Sequence, residues 1–204
     1  MTSPKIIFFR HGQCQGGNIL RGKTDVALSD MGWQQMQLST NKVLAAHSIP
    51  NKIVSSPLQR CRLFAEAKAT QFKLNLAIVP ALAEFDYGDW DGQTFERLYQ
   101  KSPRDLNAFF NHPWQNPPPN GEKMPEFEAR INNHYSSLCV TAQTHSIIWV
   151  FTHGGVMKQI LAYILGLDRQ ASVFSSIDIP YAASITTHLC WDKEKCYSRI
   201  ELGN

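Results

Sequence analysis

Lys5-Ile6-Ile7-Phe8-Phe9-Arg10-His11-Gly12 is the stretch whose reading decides the fold. Ile6 to Phe9 are four consecutive β-branched or aromatic residues, the pattern of a strand buried on both faces, as in the parallel sheet of an α/β protein. The run stops on an arginine, a histidine and a glycine. In open α/β sheets ligands bind in the crevice at the carboxyl ends of the strands, so Arg10 and His11 are expected there. Gly12 permits a turn or a close backbone approach to a bound group. Taken alone, the same three residues equally describe a surface turn with a solvated arginine and histidine.

Outward from this strand, residues 13–25 are rich in Gly, Gln and Asn and read as a loop around the strand end. Ser29 is an N-cap candidate for a helix to about Ala46, with Met31, Met36, Leu38, Val43 and Leu44 as its apolar positions. Lys52-Ile53-Val54-Ser55 reads as a second strand, and Pro57 suits the first turn of a helix reaching about Phe72. Leu76 to Val79 is a third strand candidate. Alternation of this kind predicts a three-layer α/β sandwich, with a mostly parallel central sheet and helices on both faces.

From Leu82 to Gly92 the chain is acidic, aromatic and aperiodic, and reads as a functional loop. Thr94–Tyr99 and Arg104–Phe110 are short helix candidates, and His112–Gly121, with four prolines, is irregular. Phe127, Ile131, Tyr135 and Leu138 mark a helix of about sixteen residues starting near Pro125. Ser146–Thr152 is a late apolar strand that again ends on a histidine and glycines, His153-Gly154-Gly155. An apolar helix follows from Val156 to Leu165 and stops at Gly166. Residues 185–191 and 196–200 form a terminal hairpin. The expected organisation is one domain over residues 1–204, with an insertion of about 86–145 forming a small helical and loop cap over the strand ends.

Composition narrows the function classes. The 204 residues carry 20 Lys and Arg against 17 Asp and Glu, and the sequence pI of 8.6 falls short of the roughly 9 or more of a dedicated nucleic-acid binder. The five cysteines form no Cys-x-x-Cys pair, which argues against a disulfide framework and a zinc site. The apolar run near the N-terminus is shorter than a signal-peptide core of about 7 to 15 residues or a membrane span of about 20. A cytoplasmic protein acting on a small molecule is expected, without a nucleic-acid or membrane partner. Its oligomeric state is left open.

Four short motifs occur in order: Arg10-His11-Gly12, Ser55-Ser56-Pro57-Leu58-Gln59-Arg60, Glu84 ahead of Gly88-Asp89-Trp90-Asp91-Gly92, and Thr152-His153-Gly154. Together, over Lys5 to Leu165, they resemble the histidine phosphatase (phosphoglycerate mutase-like) superfamily. From Phe85-Asp86-Tyr87-Gly88 to Pro119-Asn120-Gly121-Glu122 the chain looks most like the α-ribazole 5′-phosphate phosphatase branch, which serves cobalamin nucleotide-loop assembly. The resemblance implies a phosphomonoesterase acting through phosphohistidine, with catalytic residues His11, Glu84, Arg10, Arg60 and His153. It also implies a substrate-binding set of Arg10, Asn18, Gly22, Arg60, Glu84, His153 and Gly154. Alternatives are a phosphoglycerate mutase-like enzyme, a broad-specificity sugar or nucleotide phosphatase, and an inactive member that binds a phosphorylated ligand.

The chemistry suits these residue types. A phosphate dianion is clamped by planar cationic donors, for which Arg10, Arg60 and His153 are suited. A neutral imidazole is a nucleophile near pH 7 without a separate base. An alkoxide leaves readily only if protonated, and the resemblance selects Glu84 for that. No metal or cofactor is called for, since cationic side chains supply the electrostatic stabilisation.

Several readings stay open at this level. Asp86, Asp89 and Asp91 rival Glu84 as the acid, although such residues commonly cap turns. Glu122 also reads as a helix-start carboxylate. Phe85, Tyr87, Trp90, Phe109, Phe110 and Trp114 are either a base-stacking mouth, with the Asp carboxylates accepting ribose hydroxyls, or the cap's own core. His47, His112, His134, His145 and His188 read as structural. Where the family shows Glu, Thr or Ser, and an Asn five places past the glycine, this chain has Gln13, Cys14 and Gly17, with Asn18 one place late. Cys14 is expected to be oxidant-sensitive if the neighbouring arginines ionise it.

Overall fold

The computed structural model describes residues 3–47, 49–167 and 169–202. Its centre is a six-stranded sheet in the order β3-β2-β4-β1-β5-β6. The strands are β1 (Lys5–Arg10), β2 (Lys52–Ser55), β3 (Leu76–Ile78), β4 (Ile147–Thr152), β5 (Ser184–Asp192) and β6 (Lys195–Leu202). β1 to β4 pair in parallel, while β5 joins β1 antiparallel and carries β6 on its outer edge.

The double-sided apolar run works as its period dictates. Ile6 and Phe8 point into one core and Ile7 and Phe9 into the other, and all four are buried. β4 repeats the pattern, with Ile148 and Val150 on the first side and Trp149 and Phe151 on the second. Fully burying each such side chain is worth about 1.5–3 kcal/mol, which holds these strands at the centre of the sheet. Helices α1 (Asp30–Ala46) and α2 (Gln59–Phe72) cover the second side, and α5 (Met124–Ala142) and α6 (Gly154–Leu165) the first. The expected α/β layering is therefore present.

Local differences from the sequence reading have physical causes. Ser29 caps α1, accepting from Gly32 N at 3.1 Å, but the buried stripe is Gly32, Met36, Thr40 and Val43, leaving Met31 and Leu38 exposed. Pro57 stands before α2 instead of in its first turn. The helix starts at Gln59, whose N–H is satisfied by the Asp25 carboxylate at 2.7 Å, a cap brought in from a distant loop. α5 runs over 19 residues with Phe127, Ile131, Tyr135 and Leu138 all buried against the sheet. Between β3 and α5 the chain forms α3 (Phe95–Lys101) and α4 (Pro103–Asn111), whose Leu98, Leu106 and Phe109 join the core on the α5 and α6 side of the sheet. α6 begins at Gly154, and a short helix α7 (Ala171–Ser176) follows it, with no sequence signal to announce it. Among the described residues no helix is long and apolar enough to cross a membrane.

Candidate active site

The strand order sets the site. β1, β4 and β2 lie side by side and parallel, so the residues after them, His11, His153 and Ser56, meet at one end of the sheet. The ladder continues one step past the strands: His11 N donates to Thr152 O at 3.0 Å and Ser56 N to Phe151 O at 2.9 Å. His11 Nδ1 lies 2.8 Å from Gly12 O. A carbonyl only accepts, so the proton is on Nδ1 and the lone pair on Nε2. Burial, reinforced by the Arg60 charge, pushes the His11 pKa down to about 3, so the imidazole is neutral throughout the physiological range. The close approach permitted by Gly12 is to the protein itself, since a Cβ there would run into Gly32 of α1.

Arg60, on α2, is fully buried and its donors are shared among three partners. Nη1 donates to Thr24 O at 2.9 Å, Nη2 to Gly22 O at 2.8 Å and Nε to His153 Nδ1 at 3.2 Å. Because Arg60 can only donate, His153 Nδ1 is the acceptor, and its protonated Nε2 meets Ser56 Oγ at 2.7 Å. Burial and then Arg60 hold the His153 pKa well below the ordinary value. Its ring packs edge-on to His11, with centroids 5.3 Å apart. Arg60 and His153 thus stand beneath the nucleophile candidate, packed behind the wall of the cavity described next.

That cavity, about 300 Å³, opens beside His11. Arg10, Glu84 and Gly154 line it with His11. The Arg10 guanidinium donates through Nη1 to Ile179 O and lies over the Tyr181 ring, while its buried Nε has no hydrogen-bond partner. Glu84 accepts from Phe85 N and, at the start of α6, from Gly155 N, both at 3.0 Å. Gly155 has to be glycine for this, because a Cβ there would collide with the carboxylate. The far wall is apolar, formed largely by Phe85, Phe109, Phe110, Met124, Phe127 and Phe174.

The three rival carboxylates are engaged elsewhere. Asp91 accepts from the backbone N–H groups of Gly22, Lys23 and Thr24. Asp86 pairs with Lys23 at 2.5 Å and accepts from Gly88 N, and Asp89 accepts from Asn120 Nδ2 at 3.0 Å. They hold loops, as short acidic side chains do, and none faces the cavity. Asp86, Asp89 and Asp91 are therefore not among the groups that line the cavity and could accept a substrate hydroxyl there. The aromatic residues divide: Phe85, Trp90 and Phe109 are buried in the core that includes α5 and α6, while Phe85, Tyr87, Phe109 and Phe110 line the cavity, and Trp90 and Trp114 do not. Asn18 is exposed and away from the cavity wall, and Gly22 is present through its carbonyl on Arg60. None of His47, His112, His134, His145 and His188 lines this cavity, and among the described residues no cluster of His, Cys, Asp or Glu stands ready to hold a metal ion.

Residues 6–199 match the histidine phosphatase superfamily (branch 1). The chain belongs to this superfamily. A bifunctional protein of Mycobacterium tuberculosis is 26% identical over 184 residues, covering 89% of this chain and 49% of the relative, so the chain spans about half the length of that protein. The adenosylcobalamin/alpha-ribazole phosphatase of Escherichia coli is 26% identical over 178 residues, 85% of each chain. A mycobacterial glucosyl-3-phosphoglycerate phosphatase solved with vanadate superposes with a TM-score of 0.85 over 99% of both chains at 24% identity, a likeness of fold.

Within this histidine phosphatase framework the chain carries features that the motifs did not disclose. Arg21 lines the cavity and donates to Gln15 O and Gly17 O, pinning the loop that departs from the family pattern. Lys158, one turn into α6, and Asp178 and Tyr181, in the connection to β5, are also on the wall. Lys158 had a signal, lying five residues past His153 on a helix that starts at the site. Asp178 had none. Cys14 reverses its expectation: burial raises the thiol's pKa against the pull of the arginines, and Sγ sits among His11 Nδ1 and Gly12 O as a neutral group. Glu122 is not a free helix-start carboxylate but the ion-pair partner of Arg130, at 2.6 Å.

Proposed function

We propose that this chain is a phosphomonoesterase that works through a phosphohistidine on His11. The observation that carries the reading is the proton placement: Nδ1–H is held by Gly12 O, so the Nε2 lone pair is the reactive one in a ring beside the cavity. Nε2 attacks phosphorus, the P–O bond to the leaving group breaks, and its electron pair takes a proton from the Glu84 carboxyl. Water then attacks phosphorus, Glu84 recovers the water's proton, and the P–N bond breaks to return neutral His11 and inorganic phosphate. Arg10, with an unpartnered Nε, binds the phosphoryl oxygens. Arg60 supplies fixed positive charge beneath them, and His153 holds the nucleophile's ring from below. No metal or cofactor enters these steps.

α-Ribazole 5′-phosphate is the first substrate candidate, supported by the apolar aromatic wall, which fits a flat base poor in hydrogen-bonding groups. A second reading draws on Arg21 and Lys158, two cations lining the same cavity, which suit a phosphorylated carboxylic acid. The experiment has two parts. Wild type hydrolyses p-nitrophenyl phosphate, carries acid-labile, alkali-stable phosphate when quenched, and loses both in His11→Ala. An inactive wild type identifies a binding protein, and an acid-stable phosphoenzyme overturns the mechanism. Comparing kcat/KM for α-ribazole phosphate, nucleoside monophosphates and 3-phosphoglycerate then decides the substrate. Isomerisation of 3-phosphoglycerate would make the chain a mutase.

A further inference from the structure

Resting on Glu84 as the acid, we propose that Arg130 and Glu122 are positioning residues that set its carboxyl against the nucleophile. Arg130 is on α5, facing the chain that carries Glu84. Its Nη1 donates to Ala81 O at 2.6 Å and Ala83 O at 2.8 Å, and its Nη2 to Glu84 O at 3.1 Å. Nε and Nη2 together take both oxygens of Glu122, at 2.6 and 2.9 Å. Glu122 Oε2 in turn accepts from Asp86 N at 3.3 Å. The backbone from residue 81 to 86 is therefore wrapped around one ion pair, which receives three of its carbonyls and one of its amides.

The Glu84 side chain leaves this stretch on the other side, towards Gly155 N and the cavity. Arg130 acts on it only through the backbone, because none of its hydrogen bonds goes to the Glu84 carboxylate. The guanidinium is suited to this by its planar fork of five N–H donors, which serves three carbonyls and a carboxylate at once. An ammonium has three donors around one atom and leaves part of the ring of acceptors unserved. The Glu122 carboxylate fixes the fork's plane, and the Phe127 ring, its centroid 4.8 Å from the guanidinium carbon, packs on one face. Phe127 also lines the cavity, so the clasp and the leaving-group wall share one side chain.

The test compares an alkyl phosphate, whose leaving oxygen needs a proton, with p-nitrophenyl phosphate, whose leaving group departs unaided. Wild type, Glu84→Gln, Arg130→Lys, Glu122→Gln and the double variant Glu84→Gln/Arg130→Lys are measured on both. Arg130→Lys and Glu122→Gln are expected to lower kcat on the alkyl phosphate about tenfold or more, with p-nitrophenyl phosphate within about threefold of wild type. In the double variant the alkyl rate should equal that of Glu84→Gln alone, since there is no acid left to misplace. Equal losses on both substrates, or fully additive losses in the double variant, would overturn the proposal and leave the clasp a structural feature. Should Arg130→Lys fail to fold, Glu122→Gln and its own double variant with Glu84→Gln carry the same comparison. If Glu84→Gln itself shows no preference for one substrate, it is the acid assignment that falls.

Discussion

At the scale of single residues, His11 is a nucleophile candidate because of what surrounds it. An isolated histidine is about half protonated near pH 6.5 and would lose nucleophilicity in mild acid. Burial and the adjacent arginines lower its pKa to about 3. Nitrogen NMR of the phosphate-free protein should find His11 neutral, protonated on Nδ1, from pH 8 down to about pH 5. A titration centred near 6.5 would contradict the buried geometry. Cys14 makes the opposite point. The same arginines surround it, yet burial prevails and keeps its thiol protonated.

At the scale of elements, two helices meet the site through glycines whose space is already taken. A Cβ on Gly32 of α1 would enter the Gln13 backbone, and one on Gly155 of α6 the Glu84 carboxylate. Helix propensity favours alanine over glycine by about 1 kcal/mol, so on that ground alone either substitution should stabilise. Gly32→Ala is instead expected to cost about 1–3 kcal/mol of stability, because backbone cannot yield as a side chain can. Chemical denaturation decides it, and a neutral or stabilised variant refutes the packing argument. Gly155→Ala should fold and, if Glu84 is the acid as proposed, lose turnover of alkyl phosphates by about tenfold or more, since the Glu84 carboxylate must leave its seat at the start of α6. Unchanged kcat would mean that this seat does not matter.

At the scale of the molecule, burying neutral histidines under a sheet end ties stability to pH. His11 titrates near 3 when folded and His153 lies well below its ordinary value, whereas both titrate near 6.5 unfolded. Above pH 6.5 neither state takes up the proton and these groups contribute nothing. Between about 6.5 and 3 the unfolded chain binds protons that the folded chain refuses, so stability falls as pH falls, by at most about 1.4 kcal/mol per unit for each histidine. Urea unfolding midpoints from pH 7.5 to 4.5 should decline, and less steeply in His11→Gln. An identical slope in that variant would place the acid sensitivity in other groups.

Much of this architecture is legible in one dimension because its determinants are local. The double-sided strands at Ile6–Phe9 and Ile147–Phe151, the α5 face at Phe127, Ile131, Tyr135 and Leu138, and the histidine at each of two strand ends need only alternation, period and punctuation. The sequence alone therefore determines the layered α/β class and which strand ends carry histidine and arginine. Only tertiary structure decides which of four neighbouring acids faces the cavity, since that depends on Asp91, Asp86 and Asp89 finding backbone and side-chain partners far away in the chain. It also decides the proton on Nδ1 of His11, the neutral thiol of Cys14, and the presence of Arg21, Lys158 and Asp178 around one cavity. Charge, burial and hydrogen-bond partners are set by what surrounds a residue in space, and local pattern carries no record of them.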